Sequence, residues 1–221
     1  MENISPDTIT LFRLGPLVIN ATIGYTWAVM ALLVLISWLA TRNLTTGTEI
    51  SKWQNALEAI AAYIRSEVGD ITEDKPERYL PLLGTLFLFV SLSNFLAFVP
   101  GYHPPTGSLS TTAALALCVF VAVPAYGIYK IGVRSYLKQY IQPVFFMLPF
   151  NILSEFSRTL ALAVRLFGNV MSTTLMSAVL LSLVPFFVPV IMEIFGLLIG
   201  QIHAYIFAVL SAVYIASGAR G

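Results

Sequence analysis

Charge is what this chain has least of. Only 10% of its 221 residues are Asp, Glu, Lys or Arg, against ~25% in an ordinary soluble domain. A soluble globular protein is excluded on that ground. The net charge of +1 and the lack of any basic run give no reason to expect a nucleic-acid partner. Cys118, the one cysteine, lies in an apolar segment and cannot form an internal disulfide. The two histidines, His103 and His203, sit on different segments. There are no clustered metal ligands, no glycine-rich phosphate loop and no Ser/His/Asp set, so neither a catalytic site nor a metal or cofactor is expected. What the chain does have is apolar length: 57% hydrophobic residues and a mean hydropathy of +0.83. This composition predicts an all-α integral membrane protein with a single membrane domain over residues 1–221.

Five hydrophobic segments emerge, at 23–40, 79–99, 111–129, 151–184 and 188–217. The first is long and no small-residue cleavage site follows it, which makes it a true span rather than a signal peptide. Pro143 and Pro149 are expected to break the chain before the fourth segment, and Pro185 and Pro189 mark the turn before the fifth. Residues 49–68 differ from the rest. Glu49, Lys52, Glu58, Arg65 and Glu67 alternate there with Trp53, Leu57, Ile60, Ala61 and Ile64 at helical spacing. The pattern suits an amphipathic helix on the membrane surface, or an ordinary solvent-exposed helix.

The basic residues set an orientation. Arg13 is alone before the first span. Five (Arg42, Lys52, Arg65, Lys75, Arg78) follow that span, three (Lys130, Arg134, Lys138) follow the third, and Arg220 follows the last. One side therefore carries nine and the other one, which predicts five crossings with the N-terminus outside and the C-terminus in the cytoplasm. The last two segments are too long for upright spans. Residues 151–184 number 34, about 51 Å of helix against a hydrocarbon core of ~30 Å. A steeply tilted hairpin, or one that continues into the cytoplasm, accommodates the excess.

The fourth segment carries a charge that hydrocarbon does not tolerate. Arg165 is flanked by Leu162, Ala163, Val164, Leu166 and Phe167, and its guanidinium stays protonated at any physiological pH. Placing it at mid-bilayer costs at least ~2.5–3.5 kcal/mol, which makes it a functional site by default; the bland alternative is a structural arginine that snorkels or sits in a buried ion pair. On a helical wheel Asn151, Ser154, Glu155, Arg158, Arg165, Asn169, Ser172 and Thr173 share one arc of roughly a third of the circumference. Such a stripe must face a water-filled cavity or another polar subunit. Glu155 and Arg158, three apart, can pair with each other. Arg165 lies about 15 Å further along and needs a partner from elsewhere. On the last segment Glu193, Gly196, Gly200, His203 and Ala204 share a broad face. Carboxylate, imidazole and water together make a proton or cation relay, although a membrane histidine is also often just hydrogen-bonded between helices. Gln201 points away from Glu193 and is a weaker candidate. Gly196, Gly200, Ala204 and Ala208 form a ladder of small residues that admits close backbone approach.

The run 157–169, Ser-Arg-Thr-Leu-Ala-Leu-Ala-Val-Arg-Leu-Phe-Gly-Asn, resembles the ion-translocating subunit a of F-type rotary ATP synthases. The run 204–210, the segment 213–215, Asn94 and Pro149-Phe150-Asn151 agree with it. Residues 100–112 and 40–42 look like the N-type branch, in which sodium-type rotor rings are common. The resemblance implies a membrane stator beside a ring of c subunits, with peripheral-stalk b subunits as further partners, in a bacterial inner membrane or an equivalent energy-transducing one. It implies two offset half-channels for H+ or Na+ reaching the ring's carboxylates, with Arg165 matching the family's essential arginine between them. Glu193 and His203 are then expected in the outer half-channel and Glu155 in the inner one. Three departures mark this chain: Thr174 stands where an acidic residue or His is frequent, His203 replaces the usual Gln, and Glu193 lies ten rather than seven positions before it. Thr173 and Thr174 are therefore further candidates for the outer path. The competing expectations are a stand-alone secondary transporter that binds an anion at Arg165, which internal repeats would support and which are not visible, and a non-conducting scaffold, which would need no polar stripe.

Overall fold

The computed structural model describes residues 10–14, 17–42, 52–72, 76–99, 101–141, 146–183 and 188–219. Almost all of them are helical. The exception is an N-terminal hairpin that the sequence reading does not anticipate: β1 (Thr10–Leu14) pairs antiparallel with β2 (Leu17–Asn20). The helices are α1 (Ala21–Thr41), α2 (Lys52–Thr72), α3 (Leu80–Phe95), α4 (Leu109–Ile131), α5 (Val133–Ile141), α6 (Met147–Leu183) and α7 (Val188–Ala219). Five of these, α1, α3, α4, α6 and α7, are long and apolar enough to cross a membrane.

Local chemistry explains most of the boundaries. Asn20 precedes α1 in extended backbone. Pro81 falls in the first turn of α3, where its missing N–H costs nothing. The helix tightens into a 3-10 turn over Leu96–Phe98 before Pro100. α4 ends at Gly132, whose φ of +82° is a left-handed conformation that glycine adopts without strain. Pro149 does not break the chain as expected. It lies in the first turn of α6, a position that tolerates proline, so the helix begins at Met147. Pro189 likewise occupies the first turn of α7. Pro143, Pro185 and Glu49 lie outside the described residues. The nine-residue α5 was not foreseen either.

α3, α4, α6 and α7 pack on one another around Leu86, Val90, Val119, Leu162, Leu166 and Phe207. A second cluster joins Val68 of α2 and Tyr79 to Leu83, Val123, Ala212 and Ile215. Lipid tails are as apolar as these side chains, so burial alone does not drive association in a bilayer; close packing and interhelical hydrogen bonds do. Both are present. A Cβ on Gly127 would lie 2.8 Å from the carbonyl oxygen of Gly218, and one on Gly218 would lie 2.6 Å from Val123 Cγ1. α4 and α7 therefore meet backbone to backbone. Asn94 Nδ2 of α3 donates to the Gly200 carbonyl of α7 at 2.9 Å. Next to it Ser91 Oγ donates to Gln201 Oε1 at 2.5 Å, and Gln201 Nε2 donates back to the Ser91 carbonyl at 3.0 Å.

The helices are unequally covered. A third of the most apolar stretch is buried in α3 and α4 (33% each), but only 11% in α6 and 6% in α1. α6 thus turns most of its surface away from its own chain. α2 is amphipathic, and its apolar side (Ile64, Val68, Ile71) packs on α3 and α7. Arg65 on its polar side pairs with Glu77.

Candidate functional site

The polar stripe of α6 meets α7 along a seam with three parts. Toward the α6–α7 turn lies a cavity of about 360 Å³, lined among others by His103, Asn169, Thr173, Thr174 and Glu193. Toward the opposite end lies one of about 350 Å³, lined by Tyr140, Asn151, Ser154, Glu155 and Arg158 with Gly218 of α7. Between them the seam narrows to about 10 Å³, bounded by Leu162, Arg165, Leu166, His203, Ile206 and Phe207. Leu162, Leu166 and Phe207 are at most 3% exposed. They close the seam with apolar side chains, so neither large cavity continues into the other.

Arg165 stands at this closure. It is exposed, and among the described residues it has no hydrogen bond or ion pair. The partner that its charge requires is therefore not supplied by the described part of this chain. His203 lies beside it in the narrow part rather than in the large cavity with Glu193. His203 Nδ1 is 2.9 Å from the Ile199 carbonyl of its own helix. A carbonyl oxygen can only accept, so that contact assigns a proton to Nδ1. Glu193 is exposed and also lacks a partner among the described residues. Thr173 and Thr174 donate to the carbonyls of Asn169 and Val170 at 3.0 and 2.9 Å, which leaves their oxygen lone pairs toward the cavity. The small-residue ladder has distinct tasks along its length: a Cβ on Gly196 would lie 3.1 Å from Thr173 Cγ2 of α6, and one on Gly200 would lie 3.0 Å from Asn94 Cβ of α3. Gln201 is a clamp between α7 and α3 and lines neither cavity.

Glu155 and Arg158 do not form the pair that their spacing permits. Glu155 accepts a hydrogen bond from Tyr140 of α5, and the Arg158 guanidinium lies 6.0 Å from the Tyr214 ring centroid. The competing partner comes from the unforeseen helix. Tyr136 and Tyr140, four apart on α5, are joined at 2.8 Å through their hydroxyls, and Asn151 Nδ2 donates to the Tyr140 carbonyl at 3.0 Å. Burial first, then the bond to Glu155, pushes the Tyr140 phenol far above its ordinary range. Burial raises that of Tyr136 as well. The spacing of the two tyrosines was the sequence signal for this contact. Among the described residues no three side chains come together that could hold a metal ion.

The family model described as ATP synthase A chain matches residues 23–216, which takes in all of α6, α7 up to Ala216 and every residue lining the Glu193 cavity. The chain belongs to the ATP synthase A chain family. Its relatives match over nearly their whole length. It is 55% identical over 216 residues to ATP synthase subunit a 1 of Crocosphaera subtropica, covering 98% of this chain and 94% of the relative. It is 54% identical over 218 residues to ATP synthase subunit a 2 of Acaryochloris marina, covering 99% and 93%. With ATP synthase subunit a of Albidiferax ferrireducens it shares 53% identity over 218 residues, 99% of this chain and 94% of the relative. Within the ATP synthase A chain family match lie the closure at Leu162, Leu166 and Phe207 and the arginine beside it.

Proposed function

We propose that this chain is the ion-conducting stator subunit of a rotary ATP synthase, and that the two cavities are its half-channels. The observation that carries the reading is their arrangement: two similar cavities entering the α6–α7 seam from opposite ends, closed from each other, with an arginine at the closure that has no partner among the described residues. Arg165 faces a ring of c subunits laid against the exposed side of α6. A guanidinium next to a rotor carboxylate favours its ionised form, so the bound cation is released there. The cation cannot pass straight across the apolar closure and travels round with the ring. Glu193, Asn169, Thr173 and Thr174 serve the outer path, His203 its deep end, and Glu155 with Arg158 the inner path.

The charge asymmetry supports an outside N-terminus and a cytoplasmic C-terminus in a bacterial inner membrane. The α6 length of 37 residues, about 56 Å, supports a steep tilt. The amphipathic α2 supports a location at the membrane surface. Peripheral-stalk b subunits are further partners in this reading. The residues at 100–112 and 40–42 support the N-type branch, with H+ or Na+ as the carried ion.

The test is Arg165→Ala in the reconstituted complex. Coupled ATP synthesis is lost while the subunit still co-purifies with the ring, and passive ion leak appears. Normal coupled synthesis in the variant overturns the reading. Arg165→Lys fails nearly as badly, because an ammonium is a compact point charge without the planar fork.

A further inference from the structure

The loop between α3 and α4 is tied down on several sides. Tyr102 meets Tyr25 of α1 edge to face at 5.1 Å, and Tyr25 Oη donates to the Gly101 carbonyl at 3.1 Å. Thr106 is fully buried and donates to Asn94 Oδ1 at 3.0 Å, and Asn94 in turn holds α7. A Cβ on Gly107 would touch Val170 of α6 at 3.4 Å. His103 sits in this pinned stretch, followed directly by Pro104 and Pro105, and lines the larger cavity. Its Nδ1 is shielded from solvent and has no hydrogen-bond partner among the described residues. A buried ring nitrogen left unbonded costs stability, and nothing in the packing of the loop uses it.

The groups around that cavity leave His103 a specific task. α6 contributes Asn169, Thr173, Thr174 and Ser177, α3 contributes Asn94, and α7 contributes Glu193. Among the described residues the titratable groups lining it are thus His103, Glu193 and Tyr102. Burial pushes the Tyr102 phenol above its ordinary range, so it stays neutral. The formal charge of the cavity is therefore set by two side chains. It is negative when the imidazole is neutral, and zero when an imidazolium stands with the Glu193 carboxylate.

We infer that His103 controls cation entry into the outer cavity: its protonation cancels the charge of Glu193 and lowers the occupancy of the cavity by the carried ion. The inference rests on the reading of that cavity as an outer half-channel. It adds a pH-sensitive access group that comes from the α3–α4 loop and not from α6 or α7.

The experiment uses the whole complex in liposomes at a clamped potential, with ion flux measured as the outer pH is varied across the imidazole range of about 5 to 8. Fluxes are expressed as ratios to the wild-type at the same pH. His103→Gln, permanently neutral, gives a ratio of one at the alkaline end and a rise on the order of fivefold at the acid end, from one unit charge at cavity distance. His103→Lys, permanently charged, gives the mirror image: a fall on the order of fivefold at the alkaline end and a ratio of one at the acid end. The dependence on inner pH stays as in the wild-type. Ratios that do not vary with outer pH, or an inner-pH profile that shifts along with the outer one, overturn the inference and leave His103 a purely structural loop residue. Should His103→Gln fail to co-purify with the ring, His103→Asn carries the same readout. Arg165→Ala run in parallel separates the two claims. If it leaks and the His103 ratios are flat, only the access residue falls; if it retains coupled synthesis, the stator reading falls first.

Discussion

At the scale of single residues, function here depends on which polar groups find partners and which do not. Arg165 and Glu193 have none among the described residues, while Glu155 is held by Tyr140. Tyr140→Phe removes that donor and leaves a half-buried carboxylate to water. The cavity is open enough for water to enter, so the cost is about 1 kcal/mol. A double-mutant cycle with Glu155→Gln, read by thermal unfolding of the complex, shows the coupling; strictly additive effects would mean that the contact contributes nothing. The pH dependence has a definite sign. Folding raises the Tyr140 phenol above its usual value. Its contribution is therefore complete below about pH 10 and is lost as the pH rises through the folded value. Thermal stability of the wild-type falls above about pH 10, and Tyr140→Phe flattens that fall.

At the scale of elements, the five spans are legible because length and hydropathy are local properties. Their observed bounds lie within four residues of the segments read from sequence. The arc of Asn151, Glu155, Arg158, Arg165, Asn169 and Thr173 likewise needs only helical geometry. What was not legible depends on distant partners. α5 is nine residues long, too short for a period to stand out. The Glu155–Arg158 pair is what one helix would form by itself; α5 supplied a better-placed donor. Gln201 reads as a weak channel candidate until Ser91, 110 residues away, is seen to hold it. Gly218 carried no sequence signal at all, yet it is where α7 meets α4. Gly218→Val would drive its side chain into Val123, which a Cβ alone already approaches to 2.6 Å. The expected result is separation of α4 from α7, with a loss of about 2 kcal/mol or more and a lower yield of assembled complex. Wild-type yield and thermal stability would count against the close crossing.

At the scale of the whole molecule, the two ends of the bundle differ. α1 begins, α3 ends and α4 begins at the end that holds the Glu193 cavity; α5 and the start of α6 lie at the other, with Glu155. With the orientation proposed above, the first end faces outward. In a background lacking Cys118, Ser110→Cys is then labelled by a membrane-impermeant thiol reagent applied outside, and Lys138→Cys only after the membrane is opened. The reverse pattern inverts the topology and exchanges the two half-channels.

The thin coverage of α6 also bears on the life of the protein before it is assembled. An orphan copy would present Arg165 to hydrocarbon, which offers it no counter-ion. Lipid headgroups and water would be drawn inward around the guanidinium, thinning the bilayer at that spot. Such a defect would weaken the insulation of the membrane around the orphan copy. In the stator reading proposed above, the charge that serves the rotor is thus the charge that makes an unpartnered copy a burden on the bilayer.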